Sequence, residues 1–315
     1  HNGDVKLAGT LTTPEGPGPF AALVLITGSG QQDRDETVAG HRPFLVISDA
    51  LTRAGYAVLR VDDRGVGGSG GNYATATYDD MSADVLAGVR FLADRPEIDP
   101  DRIGLFGHSE GGFLAPLVAQ QAPDEIAFAV LMAGPAVTGE EVLIAQNQLI
   151  LAQAGATPAD IEAQVAYLRE LVALLREGDE DGARELVTTR LTEAAATLPP
   201  EQRPTPEQIA EIAASTLVEL RRVALYDPAP ALSALHVPVL AFFGGTDLQV
   251  PPAQSEPAMT ALLADNPDAT VRTLPGLNHL MQPSATGNPG EYGSIETTVA
   301  PEVLDLVVGW LQERF

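Results

Sequence analysis

The segment Gly107-His108-Ser109-Glu110-Gly111 places a serine between two glycines, each two residues away. The apolar stretch Ile103–Phe106 precedes it, and a helix-like run follows from Gly112. Where a chain turns sharply from a strand into a helix, the residue at the tip of the turn is exposed, and glycines permit the crowding. The segment therefore predicts that Ser109 is a nucleophile. The alternative is a glycine-rich turn without chemistry.

A serine hydroxyl needs a base to accept its proton, and the base needs a carboxylate to orient it. His279 lies in a loop after the predicted strand Thr270–Leu274, and Asp247 directly follows the predicted strand Val237–Phe243. Loops at the carboxyl ends of parallel strands are where α/β sheets hold their functional groups. Ser109, Asp247 and His279 therefore predict a catalytic triad. The alternative for His279 is an ordinary surface residue.

A serine nucleophile also requires N–H donors for the oxyanion that forms on the substrate. One predicted donor is the backbone N–H of Glu110, the residue after the serine. The second is expected from the loop Thr27–Gln32, where the small residues Ser29 and Gly30 are the candidates. The sequence does not separate these two, and a glycine-rich turn without a catalytic part remains the alternative.

Apolar strands alternate with helical segments along most of the chain, which predicts an α/β fold with a mostly parallel central sheet flanked by helices. From about Thr138 to Leu225 only helical signals occur. We interpret this stretch as an inserted all-helical cap; an independent helical domain is the alternative. The expected division is residues 1–136 and 227–315 for the α/β core and 137–226 for the cap. The predicted strands are Val5–Thr13, Phe20–Ile26, Tyr56–Val61, Ile103–Phe106, Phe128–Met132, Val237–Phe243 and Thr270–Leu274.

Two further segments invite other interpretations. Gly65–Gly70 matches the pattern G-x-G-x-x-G, but loop residues follow it where a dinucleotide-binding motif would open into a helix. We therefore interpret it as a structural loop. Asp33–Glu36 is expected to form a self-paired loop rather than a cation site. No zinc or calcium ligand pattern is present, so neither a metal nor a cofactor is expected.

Composition limits the partners and leaves the compartment open. The net charge of −25 argues against binding nucleic acid, whose phosphates require basic surfaces. No apolar run is long enough to predict a transmembrane helix. The chain contains no cysteine and starts at His1, which fits export after removal of a leader as well as a cytoplasmic location. The oligomeric state, monomer or homodimer, is equally open.

These motifs together resemble the α/β-hydrolase superfamily, and within it the bacterial serine carboxylesterases near the serine aminopeptidase and dienelactone-hydrolase-like groups. The resemblance implies Ser109 as nucleophile, His279 as base and Asp247 as its partner, with the helical insertion as a cap over the acyl site. The usual His-Gly of the oxyanion loop is replaced by Thr27-Gly28. The matching segments are Thr27–Asp35, Asp62–Ser69, Gly107–Gly112, Gly244–Asp247, Asn278-His279 and Thr286–Tyr292.

The function predicted from these residues is hydrolysis of small to medium acyl esters through an acyl-enzyme intermediate, the activity of a carboxylesterase of class EC 3.1.1.-. The expected partner is a small-molecule ester. An aminopeptidase, amidase or thioesterase with the same triad is the main alternative. A non-catalytic binding protein with this fold is a further one, although such a protein would tolerate the loss of a triad residue and all three are present.

Overall fold

A computed structural model describes all residues from His1 to Phe315. The chain forms two compact units. We call residues 1–137 together with 228–315 the α/β unit, and residues 138–227 the helical unit.

A seven-stranded sheet forms the centre of the α/β unit, with the strand order β1-β3-β2-β4-β5-β6-β7. Strand β1 pairs antiparallel with β3, whereas all other neighbours are parallel. The predicted α/β architecture with a mostly parallel sheet is therefore confirmed. The strands are β1 (Gly9–Thr12), β2 (Phe20–Ile26), β3 (Ala57–Val61), β4 (Ile98–His108), β5 (Phe128–Met132), β6 (Val239–Gly244) and β7 (Ala269–Leu274).

The inner strands consist almost entirely of apolar residues because both faces of the sheet are covered. All residues of β5 and β6 are buried, and so are all of β2 except its first. Strand β4 is longer than predicted. It begins at Ile98, which pairs with Phe20, although Asp99-Pro100-Asp101 has the composition of a turn. Strand β1 is shorter than predicted because Asn2 and Val5 form a separate bridge.

Helices flank the sheet, and their ends follow from identifiable residues. Pro43 opens α1, and Thr77 caps α2 in a reciprocal capping box with Asp80. Helices α1 and α10 contact each other over a core of Phe44, Trp310 and the facing strand residues. The helices of this unit are α1 (Pro43–Arg53), α2 (Tyr78–Ala93), α3 (Gly111–Gln121), α8 (Ala229–Ser233), α9 (Pro252–Leu262) and α10 (Pro301–Gln312).

The helical unit contains α4 (Gly139–Gln153), α5 (Pro158–Glu177), α6 (Glu180–Ala196) and α7 (Pro206–Ala224). A small core that includes Leu171, Leu175 and Leu217 joins α5, α6 and α7. The two ends of the unit meet, since the Gly139 N–H donates to the Tyr226 carbonyl at 3.0 Å. No helix of the chain is both long and apolar enough to cross a bilayer.

Candidate active site

Ser109 lies at the turn between β4 and α3, with a backbone φ of 53° in the left-handed region. The Ser109 N–H donates to the Met132 carbonyl at 3.0 Å, which fixes the turn to the end of β5. The surrounding glycines leave no room for a side chain. A Cβ on Gly107 would lie 2.1 Å from the Gly111 carbonyl oxygen, and a Cβ on Gly112 would lie 2.4 Å from the Gly134 Cα. This turn therefore needs glycine at both positions for steric reasons.

The structure brings Ser109, His279 and Asp247 into one hydrogen-bonded row. His279 Nε2 lies 3.0 Å from Ser109 Oγ, and His279 Nδ1 lies 2.8 Å from Asp247 Oδ2. Asp247 and His279 are buried, whereas Ser109 is partly exposed. A hydroxyl that contacts one imidazole nitrogen, with a carboxylate on the other nitrogen, has the geometry required for proton transfer from serine to histidine.

Backbone hydrogen bonds hold both partners of the serine. Asp247 Oδ1 accepts from the N–H groups of Gln249 at 2.7 Å and Val250 at 2.9 Å, so its other oxygen is left to His279. The fully buried Asn278 fixes the histidine loop, since its Oδ1 accepts from the N–H groups of Leu280 and Gln282. The carboxylate and the imidazole are thus oriented before a substrate arrives.

The predicted oxyanion donors differ in their surroundings. Glu110 is buried at the N-terminus of α3, directly after the serine. The Gly30 N–H donates to the Tyr73 hydroxyl at 2.9 Å, and the Gly28 N–H donates to Glu36 Oε1 at 2.6 Å. The N–H of the exposed Ser29 has no acceptor within the chain. The Ser29 N–H is therefore able to donate to a ligand.

His108 and Glu36 are two buried side chains at this site that the sequence interpretation did not assign to it. His108 Nδ1 lies 2.9 Å from Glu36 Oε1, and His108 Nε2 lies 3.1 Å from the His279 carbonyl oxygen. The rings of His108 and His279 pack with their centroids 4.8 Å apart. Burial alone would lower the pKa of His108, but the charge and hydrogen bond of Glu36 raise it above its ordinary value.

The charged side chains of Asp33–Glu36 do not pair with one another, contrary to expectation, although the N–H groups of Asp35 and Glu36 donate to Asp33. Arg34 pairs with Asp62 through two hydrogen bonds, and Asp35 pairs with Arg60 of β3. Burial works to raise the pKa of Asp62, but the hydrogen bonds from Arg34 and the Gly68 N–H outweigh it and hold the pKa at about 2. The expectation failed because partners this far apart in sequence leave no local pattern.

The glycine-rich segment after β3 forms part of the same network. The Gly68 N–H donates to Asp62 Oδ2, and Ser69 Oγ donates to the Asp62 carbonyl oxygen. A short 3-10 helix, Tyr73–Thr75, follows before α2 begins. The glycine-rich segment therefore packs around the Asp62 side chain and does not open into a helix as a phosphate-binding loop would.

A pocket of about 630 Å³, partly open to solvent, lies in the α/β unit beside the loop after β2. Apolar side chains line most of it, together with the carboxyl groups of Asp63 and Glu110. Burial raises the pKa of Asp63 to about 7, against the hydrogen bonds that it accepts from the Gln32 N–H and from Thr27 Oγ1. No group of three or more histidine, cysteine or acidic side chains is arranged to hold a metal ion.

Comparison with known proteins assigns the chain to a family. The model of the family described as "Serine aminopeptidase, S33" matches residues 43–282. Esterase EstD of Thermotoga maritima is 28% identical over 306 residues, which are 97% of this chain and 65% of EstD. The chain thus spans less than two thirds of that relative.

Solved structures resemble the whole chain in fold. A proline iminopeptidase from Mycobacterium smegmatis has a TM-score of 0.57 at 19% identity, covering 99% of this chain and 96% of its own. A thermophilic esterase from Thermogutta terrifontis has a TM-score of 0.53 at 22% identity, covering 98% of this chain and 94% of its own. At these identities the likeness concerns the fold alone.

Proposed function

Because the chain belongs to the serine aminopeptidase S33 family of α/β-hydrolases, we propose that it hydrolyses small to medium carboxylic esters with Ser109 as nucleophile. The observation that carries this proposal is the hydrogen-bonded row of Asp247, His279 and Ser109, with heavy-atom distances of 2.8 and 3.0 Å. EstD, which matches nearly the whole chain, is described as an esterase. The proposal concerns the described chain, which covers 65% of that relative.

In the proposed reaction Ser109 Oγ attacks the ester carbonyl carbon while His279 Nε2 accepts the hydroxyl proton. Asp247 stabilises the resulting imidazolium through Nδ1, and the N–H groups of Glu110 and Ser29 stabilise the oxyanion. His279 then returns the proton to the departing alcohol, which leaves an acyl group on Ser109. A water molecule, deprotonated by His279, attacks this acyl-enzyme, and the carboxylic acid departs as Ser109 recovers its proton.

The test is the variant Ser109→Ala, assayed with p-nitrophenyl butyrate. We expect kcat to fall by about 10⁶, as for loss of a triad serine elsewhere. A fluorophosphonate probe, which reacts with activated serines, should label the unmodified protein and not the variant. The matched control is Ser294→Ala, since Ser294 is exposed in the loop before α10 and bonds only to the Glu291 carbonyl. Normal turnover by Ser109→Ala would refute the proposal, and absence of labelling in both would favour a non-catalytic binding protein.

An aminopeptidase or amidase with the same triad is the second candidate. Two observations favour it: the family description names an aminopeptidase, and the acidic residue Glu110 lines the pocket beside Gly28. Carboxylates at a pocket attract a substrate ammonium group. Parallel assays of a p-nitrophenyl ester and an aminoacyl-p-nitroanilide would decide, since an esterase should favour the ester in kcat/KM and an aminopeptidase the anilide. The same panel with a thioester would test thioesterase activity.

The helical unit is proposed to act as a cap that determines which acyl groups are accepted. Its place in the chain supports this, because it follows β5, whose parallel neighbours β4 and β6 precede Ser109 and Asp247. An ester series of increasing acyl length tests the idea. Substitutions of exposed residues on α4 to α7 should shift the preferred length. A chain-length profile that is insensitive to all of them would contradict it.

A further inference from the structure

A second histidine–carboxylate pair, His108 with Glu36, lies buried behind the proposed triad, with each residue 3% exposed or less. His108 Nε2 faces the His279 carbonyl oxygen at 3.1 Å, and a carbonyl can only accept, so this nitrogen must carry a proton. His108 Nδ1 faces Glu36 Oε1 at 2.9 Å. Both ring nitrogens therefore have an acceptor, which is the arrangement of an imidazolium.

The Gly28 N–H indicates that Glu36 is the ionised partner. It donates to the same Oε1 at 2.6 Å, a short bond of the kind that a charged acceptor makes. A protonated Oε1 would be a poor acceptor for this donor. The other oxygen, Oε2, is buried without a hydrogen-bond partner. Since an unpaired buried oxygen is costly, Glu36 is not arranged for stability alone.

The pair joins three segments that the reaction needs. Glu36 binds the backbone of the loop that contains Ser29, His108 immediately precedes Ser109, and the His108 ring donates to the backbone of His279. Glu36 itself has a φ of 54°, in the left-handed region. Its neighbours hold it there, because Arg34 pairs with Asp62 and Asp35 pairs with Arg60. The geometry thus fixes the loop, the serine turn and the base relative to one another.

We propose that Glu36 and His108 are positioning residues that hold His279 and the loop after β2 in the geometry for attack by Ser109. This inference rests on the proposed ester hydrolysis. The pair contacts no reacting atom, so its loss should lower kcat more than it changes KM. Glu36 and Asp247 act electrostatically on His108, the His279 ring packs against it, and Asp63 interacts electrostatically with Glu36. Of these, Glu36 and Asp247 favour the charged ring.

The first test uses the isosteric variant Glu36→Gln. The amide oxygen can still accept from Gly28 and His108 at the Oε1 position, but the amide carries no charge to retain the second His108 proton. We expect kcat for p-nitrophenyl butyrate to fall by about 10- to 100-fold, with KM changed by less than about 3-fold. The loss should grow from about pH 5 to about pH 7, because burial without the Glu36 charge lowers the pKa of His108 below its ordinary value. A wild-type kcat throughout this interval would overturn the proposal.

Two substitutions of His108 each keep one of its two hydrogen bonds and remove the other. His108→Asn places an NH₂ group near Nδ1 and keeps the bond to Glu36, whereas His108→Gln places one near Nε2 and keeps the bond to the His279 carbonyl. The proposal predicts that the Gln variant retains more kcat than the Asn variant at neutral pH. It also predicts that Glu36→Gln combined with His108→Asn loses less than the product of the single losses. Full additivity would contradict coupling through one pair.

The matched control is His41→Gln. His41 also engages both ring nitrogens, with Thr298 Oγ1 at 2.8 Å and the Tyr292 carbonyl at 3.0 Å, but it joins none of the three segments. It should lower the melting temperature and leave kcat and its pH dependence unchanged. An equal loss of kcat in the control would reduce the Glu36–His108 effect to general destabilisation and overturn the proposal.

A measurement on the unmodified protein keeps the proposal testable if the variants fold poorly. The ¹⁵N chemical shifts of His108 at neutral pH should report protons on both ring nitrogens, and a neutral ring would refute the assignment. Fluorophosphonate labelling separates this test from that of the proposed function. If Ser109 labels and Ser109→Ala is inactive while Glu36→Gln and both His108 variants keep full kcat, only the positioning role fails.

Discussion

The two units of the chain differ in what they bury. Every buried polar or charged residue, from Thr27 to Gln282, lies in the α/β unit, and the helical unit buries apolar side chains and one glycine. Burying a polar group is costly unless it is hydrogen-bonded, so such groups accumulate where geometry must be fixed. The difference indicates that buried polar interactions fix the geometry of the α/β unit, while apolar packing dominates the buried part of the helical unit.

The helical unit is stabilised by exposed helix caps and a small apolar core instead. Thr157 and Asp160 form a capping box at the start of α5, and Thr205 and Gln208 form one at the start of α7. Each of these interactions is local in sequence and independent of the others. Substitutions at these helix caps should therefore cost stability in separate, modest amounts.

The largest expected effect concerns the buried polar residues of the α/β unit. Asp247→Asn would face His279 Nδ1 with an amide group and favour the wrong tautomer, so kcat should fall by about 10⁴ with little change in melting temperature. Asp268→Asn is the control, because it removes a partly exposed ion pair with Arg314 at the start of β7, the opposite end of that strand from the His279 loop. Steady-state assays with p-nitrophenyl butyrate measure both. A loss below about tenfold would contradict the role of Asp247.

In the helical unit, Leu171→Ala should act on stability alone. Leu171 is 1% exposed in the small core, so its truncation should lower the free energy of unfolding by about 2 to 5 kcal/mol. Leu149→Ala is the matched control, since Leu149 is 37% exposed on α4 and its loss should cost less than about 0.5 kcal/mol. Denaturant titrations give both values. Equal losses in the two variants would argue against a cooperative core in this unit.

The pH dependence of stability should reside in the α/β unit, with Asp63 as one source. Its folded pKa of about 7 lies above the ordinary value of 3.8, so the folded state keeps a proton that the unfolded chain has lost between these pH values. Stability from this group therefore falls as pH rises towards 7. Asp63→Asn should be more stable than the unmodified protein by about 2 kcal/mol near pH 8 and equally stable near pH 4. Parallel curves for the two proteins would contradict the prediction.

The smallest expected effect concerns a helix cap. Thr157→Ala removes the oxygen that accepts from the Asp160 N–H, so the free energy of unfolding should fall by about 1 kcal/mol. Thr192→Ala is the control within the same unit, because Thr192 lies inside α6 and its hydroxyl bonds only to the Thr188 carbonyl. That substitution should change stability by less than about 0.5 kcal/mol. A loss as large as that of Thr157→Ala would assign the effect to side-chain contacts rather than capping.

Much of the fold could be predicted because its signals are local. The strands β2 and β5 have the bounds that their apolar runs predict. The start of β4 was missed because Asp99-Pro100-Asp101 reads as a turn, and only pairing of Ile98 with Phe20 extends the strand. Local composition thus fails where a distant partner decides the conformation.

The same limit applies to the site. Ser109, Asp247 and His279 each follow a strand, and this order indicated which residues could meet, although their catalytic roles stay predictions until tested. Glu36 could not be found in this way because its partner His108 is distant in sequence and no periodic pattern links them. A carboxylate beside Asp33 and Asp35 looks like part of a solvated acidic loop. Only the fold reveals that the Glu36 side chain is buried.

The hydrogen bond between Gly139 and Tyr226 brings the two ends of the helical unit together, which favours exchange of the unit during evolution. Segments whose two ends lie together are those that chains exchange or acquire by insertion with least disturbance to the host. Here the ends meet at 3.0 Å, and a Cβ on Gly139 would lie 1.8 Å from the Val223 carbonyl oxygen. Recombination with a related gene at these two points would replace residues 138–227 as one segment. Under the proposed cap role, such an exchange would give the α/β unit a new acyl preference in one genetic event, with its buried polar network inherited unchanged.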